Sequence, residues 1–376
     1  MLWLGLALAC GPRTPRGEAE PAVPPAAPVD HHARPAEAPD PPLSLQPVAP
    51  GVIAALQPAA RRFSDSNAAV LVSDAGVVVI DGPQQVAAAR WLHEQLDAMT
   101  KGKRRGLVTT HWHLDHALGV SVLRARLRAE GVEVEHWGHA GLEALLQTRG
   151  AEQLDEHRAA LPGWIARGES MRASGTKPDG TALTEDEQAQ LERELRELRD
   201  QLAAVESLTL AAPSRPIADP TRVELGALTL ELLPVRAHTD ADLLVYVPEA
   251  KVLISGDVLD ELPFGGHGRP QAWLEVLRRL AQLEVVAIVP GHGPVMGPEA
   301  FERAIGLWSA VLEQAAKAVE DGQSASERHA QWSQTAGYSA LREALTRDPV
   351  SERAFDAFVP ESLARAMAEL RGELDD

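Results

Sequence analysis

Thr110-His111-Trp112-His113-Leu114-Asp115-His116 puts three imidazoles and a carboxylate within six residues of one another. A strand has period two, so His111 and His113 are expected on one side as the chain leaves a sheet. Asp115 and His116 are expected in the turn beyond. Packed together without a cation, three imidazoles would repel one another whenever protonated. A lone buried histidine is usually structural. Three with an interposed aspartate at strand–loop spacing signal a transition-metal site.

Working outward, residues 106–110 read as the strand that delivers this run, and 117–128 as the helix that follows it. Upstream, residues 68–73 and 77–80 form a hairpin about Asp74-Ala75-Gly76. Asp81-Gly82-Pro83 breaks the second strand, and a helix is expected over 84–99, where Val86, Trp91, Leu92 and Leu96 recur at helical spacing. The folded region is expected to open near Phe63. Downstream, a strand at 132–136 completes an alternation that indicates a layered α/β domain. Between 150 and 213 the strand signals vanish. Leu191, Leu195, Leu198, Leu202 and Val205 make a seam behind a Thr184/Glu187 capping box. This predicts an inserted helical hairpin over 151–208, packed on itself or on the domain. Strands resume at 223–225, 228–233, 243–247 and 252–255, followed by a helix at 271–282 and a strand at 285–289. Beyond Gly297 the chain reads as helical cover for the core.

Composition narrows the function. The 376 residues carry 36 Lys and Arg against 54 Asp and Glu, a net charge of −18. Such a surface repels phosphate backbones, so no nucleic-acid partner is expected. Apolar residues at 45% exclude global disorder. Cys10 is the only cysteine, which excludes internal disulfides and thiolate-built zinc sites. It ends an apolar run, residues 1–10, too short to span a bilayer and similar to the lipobox of bacterial lipoproteins. Twelve prolines within residues 11–50 predict a solvated linker over 11–55. The expectation is export and lipid anchoring through Cys10 at the bacterial cell envelope, with no other membrane contact.

The run His111-Trp112-His113-Leu114-Asp115-His116 resembles the His-X-His-X-Asp-His hallmark of the metallo-β-lactamase fold superfamily. Three more features agree in order: His238 in Arg236-Ala237-His238-Thr239, Asp257 in Ser255-Gly256-Asp257, and His292 in Pro290-Gly291-His292-Gly293. The resemblance implies a four-layered αββα sandwich over 56–300, carrying the helical insert, with a helical C-terminal extension at 301–376. It implies two divalent metal ions. His111, His113 and His238 would hold one; Asp115, His116 and His292 the other; Asp257 would bridge them. This thiolate-free set suits Zn²⁺, and Fe or Mn fit it too. Asp115 is also assigned a catalytic role. With a bridging hydroxide such a cluster keeps a net charge of about +1 and favours an anionic substrate group.

The implied activity is hydrolysis of an ester, thioester, lactone or amide bond of a small molecule. β-Lactamases of this superfamily carry Cys or Ser in place of Asp257. Oxygen-reducing diiron relatives carry Glu in place of His113. Glyoxalase-II-like thioesterases and lactonases share the ligand set. The competing readings are a mononuclear iron sulfur-dioxygenase and a non-catalytic metal-binding scaffold. Trp112 is a candidate wall of the site. In the Gly-rich loop at 263–270, His267 and Arg269 are candidate holders of a substrate carboxylate.

Overall fold

The computed structural model describes residues 41–100 and 104–374. Cys10, the apolar run before it and most of the proline-rich stretch lie outside the described residues.

Two sheets form the centre. The first contains β1 (Ser44–Ala49), β2 (Val52–Leu56), β3 (Ala68–Val72), β4 (Gly76–Ile80), β5 (Arg104–Val108), β6 (Val134–His139) and β7 (Arg215–Ile217), in that spatial order. Its pairings are antiparallel from β1 to β4 and parallel from β4 to β7. The second contains β8 (Thr221–Leu225), β9 (Leu228–Val235), β10 (Asp242–Val247), β11 (Val252–Gly256) and β12 (Ala287–Pro290), antiparallel except for the β11–β12 pair. β1 and β2 correct the expected linker boundary at residue 55. Proline is tolerated on an edge strand, so a Pro-containing segment still pairs there.

Strand alternation builds the layers. In β4, Val78 and Ile80 face the second sheet, while Val77 and Val79 face helices α1 (Val86–Thr100) and α2 (Leu114–Ala129). In β10, Leu243, Val245 and Val247 face the first sheet. Leu244 and Tyr246 face outward, onto α6 (Pro270–Leu280), α7 (Glu299–Glu320) and α10 (Pro349–Leu370). The result is the expected αββα sandwich. Each fully buried aliphatic side chain contributes about 1.5–3 kcal/mol, so the inter-sheet layer holds the frame on which the loops are strung.

Between β6 and β7 lie α3 (Leu142–Leu145), a π-helical turn (Leu146–Gly150), α4 (Ala151–Ser174) and α5 (Glu185–Val205). The Thr184/Glu187 capping box forms at the start of α5. The hairpin packs both on itself and on the domain. Leu191 and Leu195 meet Met171 and Leu183. Val205 joins Leu154 and Leu161 against Trp112, Leu114 and Leu118. A buried polar node fixes the dock: Gln201 accepts from the Val86 N–H at 2.8 Å and donates to the Gln84 carbonyl at 2.9 Å.

At the C-terminal end, α7 and α10 join α8 (Ala325–Trp332) and α9 (Ala336–Leu345) over the outer face of the second sheet. Trp308 stacks 4.6 Å from Trp273. The buried Arg62 side chain donates to Glu261 at 2.8 Å and to both oxygens of Asp348 at 2.8 and 3.0 Å. It clamps the N-cap of α10 to the loops of the sandwich. Breaking a buried, hydrogen-bonded charge network leaves its partners uncompensated. Arg62→Ala is therefore expected to lower the unfolding free energy by about 3 kcal/mol, measurable by urea denaturation followed by circular dichroism.

Candidate metal centre

All seven expected ligands converge where the loops leave the C-terminal ends of β5, β9, β11 and β12. Their donor atoms fall into two groups, His111/His113/His238/Asp257 and Asp115/His116/His292, with every atom of a group within 4.8 Å of the others. The route differs in one respect from the sequence expectation. β5 ends at Val108, three residues before His111, and α2 begins at Leu114, three residues earlier than expected. His111 and His113 thus share a side through the loop's own path and not through sheet alternation. Asp115 and His116 stand in the first turn of a helix.

In the first group, His113 Nδ1 lies 3.0 Å from His111 Nε2 and 3.0 Å from His238 Nε2. The outer nitrogens explain why these edges face inward. His238 Nδ1–H donates to the Phe264 carbonyl at 3.1 Å. Thr110 Oγ1 donates to Asp81 at 2.6 Å and is 3.0 Å from His111 Nδ1, from which it accepts. His113 Nε2 lies 2.7 Å from His267 Nδ1. When His113 donates from Nε2 to His267, the three facing nitrogens all present lone pairs, an arrangement that suits a bound cation. Burial and the neighbouring His116 push the His111 pKa well below its ordinary value. Burial, His111 and His238 do the same to His113, and burial lowers His238 to about 4. Neutral imidazole is the metal-binding form.

The second group has the opposite electrostatics. Burial works against the charged imidazoles, but Asp257, Asp115 and Asp81 outweigh it at His116, and Asp257 and Asp115 outweigh it at His292. Both pKa values are raised well above the ordinary one. His116 Nδ1–H donates to Asp81 at 2.8 Å, and His292 Nδ1–H to the Arg62 carbonyl at 3.2 Å. Asp115 lies 3.1 Å from His292 Nε2. Asp257 spans the groups: its Oδ1 is 2.9 Å from His116 Nε2, and its Oδ2 is 3.4 Å from His238 Nε2 and 3.7 Å from His111 Nε2. His116 Nε2 and Asp257 Oδ1 are buried and face each other with no other partner. A buried set of convergent nitrogen and oxygen donors fits a divalent metal ion.

Gly291 is needed here because a Cβ at that position would fall 1.9 Å from Asp257 Oδ1 and 2.8 Å from His116 Cε1. Asp81 accepts from the Thr110 N–H as well as its hydroxyl, and has a positive φ of 59°. The sequence suggests only a strand break there. Its backbone strain is the kind that persists where a site requires it. Asp260, also missed, accepts from the His292 N–H at 2.8 Å.

The other candidates are placed as follows. Trp112 is buried under the insert, its ring 4.3 Å from that of His113 and 5.3 Å from that of His267. Arg269 donates to both oxygens of Asp240, at 2.8 and 3.2 Å, a carboxylate that it shares with Arg236. A further His93/Asp97/Glu130 grouping lies on α1 and the end of α2, where Arg105 and Arg126 pair with its carboxylates.

Because Asp81 fixes the tautomer of His116 and the turn before His111 together, Asp81→Ala is expected to weaken metal binding by about 10–100-fold with the fold retained. Competition titration against a chromogenic chelator, with circular dichroism as control, measures it. Metal entering the second group displaces protons from His116 and His292, so affinity rises with pH.

The chain matches the model of the metallo-beta-lactamase superfamily over residues 61–292. The linear primary-alkylsulfatase of Pseudomonas sp. (strain ATCC 19151) is 25% identical over 239 residues, which cover 61% of this chain and 42% of that protein. The stereoselective inverting sec-alkylsulfatase Pisa1 from Pseudomonas sp. has a similar fold, with a TM-score of 0.57 at 15% identity over 88% of this chain and 50% of that one. The chain thus spans about half the length of these relatives. With the family match running from the loop of Arg62 to His292, the last of the seven candidate ligands, the chain belongs to the metallo-beta-lactamase superfamily.

Proposed function

We propose that the protein is a hydrolase that acts, through a dinuclear zinc-suited centre, on an ester-type bond of a small anionic molecule, sulfate esters foremost. The observation that carries this reading is the sharing of Asp257 between two complete ligand groups. A single-ion iron oxygenase needs only one group, whereas Asp115, His116 and His292 are as fully oriented as the first set. Two ions in this site would supply a water ionised near neutral pH and a clamp on the reacting oxygen. Sulfate esters extend the ester, thioester, lactone and amide classes implied by the motif. Their support is the similarity to two alkylsulfatases, one in sequence and one in fold.

The chain's own residues divide the work. Asp257, 7% exposed, is enclosed and sets the spacing of the two groups. Asp115, 21% exposed, is the carboxylate through which a proton can pass between the centre and solvent. Asp81, the Phe264 carbonyl and the Arg62 carbonyl hold His116, His238 and His292 in register, so little reorganisation is needed during the reaction.

The test is a panel of alkyl and aryl sulfates, lactones, thioesters, β-lactams and phosphodiesters offered to zinc-loaded protein, with sulfate-ester turnover expected. Asp257→Ala should lower bound metal from about two ions per chain towards one and cut turnover at least about a hundredfold, by elemental analysis and initial rates. Two tightly bound ions with near-normal turnover in that variant would sink the shared-carboxylate assignment.

A further inference from the structure

The Gly-rich loop at 263–270 stands behind the first ligand group and supplies the outer partner of two of its three histidines. His238 Nδ1–H donates to the Phe264 carbonyl at 3.1 Å. His113 turns Nδ1 towards His111 and His238, so as a neutral ligand it carries its hydrogen on Nε2. That nitrogen is 2.7 Å from His267 Nδ1, which accepts from it. The usual acceptor behind a metal-binding histidine is a carboxylate, a carbonyl or water. Here it is a second imidazole, and its position depends on how the loop is held.

Helix α10 holds it. Arg365 donates to the carbonyls of Gly268 at 2.8 Å and His267 at 3.2 Å, and Ser362 Oγ accepts from the Gly265 N–H at 3.2 Å. A Cβ on Gly265 would collide with Trp308 and lie 2.7 Å from Ser362 Oγ, so the loop lies flush on α7 and α10. The Phe264 ring is 5.0 Å from Phe358 of α10 and 5.9 Å from the His267 ring, whose other flank meets Trp112 at 5.3 Å. A continuous chain of contacts thus runs from α10 through His267 to His113. The outer partners in the second group, Asp81 and the Arg62 carbonyl, lie outside this loop. A cation on Nδ1 polarises an imidazole and makes its Nε2–H a stronger donor, so binding at the first group strengthens the bond on which the loop closes.

We propose that His267 is a positioning residue for the first ligand group, and that through it the occupancy of that group is coupled to the docking of α10. Metal at the first group tightens α10 on the sandwich, and by reciprocity α10 tightens the metal. The coupling does not depend on which bond the protein hydrolyses.

The experiment titrates zinc into the metal-free full chain against a chromogenic chelator, for wild type, His267→Ala, His267→Asn and Arg365→Ala, with circular dichroism as the control for folding. His267→Ala should lower one of the two zinc affinities about 10–100-fold and leave the other unchanged. His267→Asn, whose side-chain oxygen can accept where Nδ1 does, should recover most of the loss. Arg365→Ala should weaken the same affinity by a smaller factor, and it keeps the test open if His267→Ala does not fold. Hydrogen exchange read by mass spectrometry should slow across residues 349–370 when zinc is added to wild type, and not in His267→Ala or Arg365→Ala. Both affinities retained in His267→Ala, both lowered equally, or His267→Asn no better than His267→Ala overturns the positioning role. Exchange in α10 of wild type that is indifferent to zinc overturns the coupling.

Discussion

Three imidazole nitrogens facing one another at 3.0 Å, all lone pairs, are an arrangement that a protein can hold only by fastening the outer edge of each ring. His111 is held through Thr110, His113 through His267 and His238 through the Phe264 carbonyl. The second group repeats the device with Asp81 behind His116 and the Arg62 carbonyl behind His292. The fasteners come from four separate stretches of the chain, around Arg62, Asp81, Thr110 and the loop of Phe264 and His267, so the centre requires the two sheets to be set before the ligands can meet. This explains why so much of the surrounding detail is steric. Gly291 passes where any Cβ would strike Asp257, and Asp81 accepts a positive φ to serve three donors.

The same constraint gives the peripheral elements their use. Arg62 is at once the carbonyl behind His292 and the clamp on α10. α10 in turn carries Ser362 and Arg365, which hold the Gly-rich loop carrying His267. The insert reaches the opposite flank of the motif, with Gln153 on the Leu114 N–H and its apolar residues on Trp112. Neither appendage is decoration. Both stiffen loops that would otherwise have to hold convergent lone pairs unaided.

Charge separates the site from its carrier. The chain is strongly acidic, with a net of −18, yet the centre gathers imidazoles and carboxylates prepared for cations.

Much of this was legible in the residues alone. The six-residue run beginning at His111, with His238, Asp257 and His292 at later strand ends, defined a metal site because no other use suits so many ligands in that order. Continuous apolar strands alternating with helices defined a layered α/β domain, because a strand buried on both faces has no polar side. The capping box of α5 was readable because capping is local. The edge strand β1 and its neighbour β2 were not, since composition alone marks a proline-rich segment as a linker while an edge tolerates it. Asp81, Asp260 and Arg62 were also hidden, because their partners lie far away in sequence. Whether Arg269 is free or paired depended on Asp240, 29 residues distant. Sequence spacing carries what neighbours along the chain impose on one another. Only the packed structure decides which distant lone pairs and charges must face each other, because that is set by sheet register and loop path rather than by any local preference.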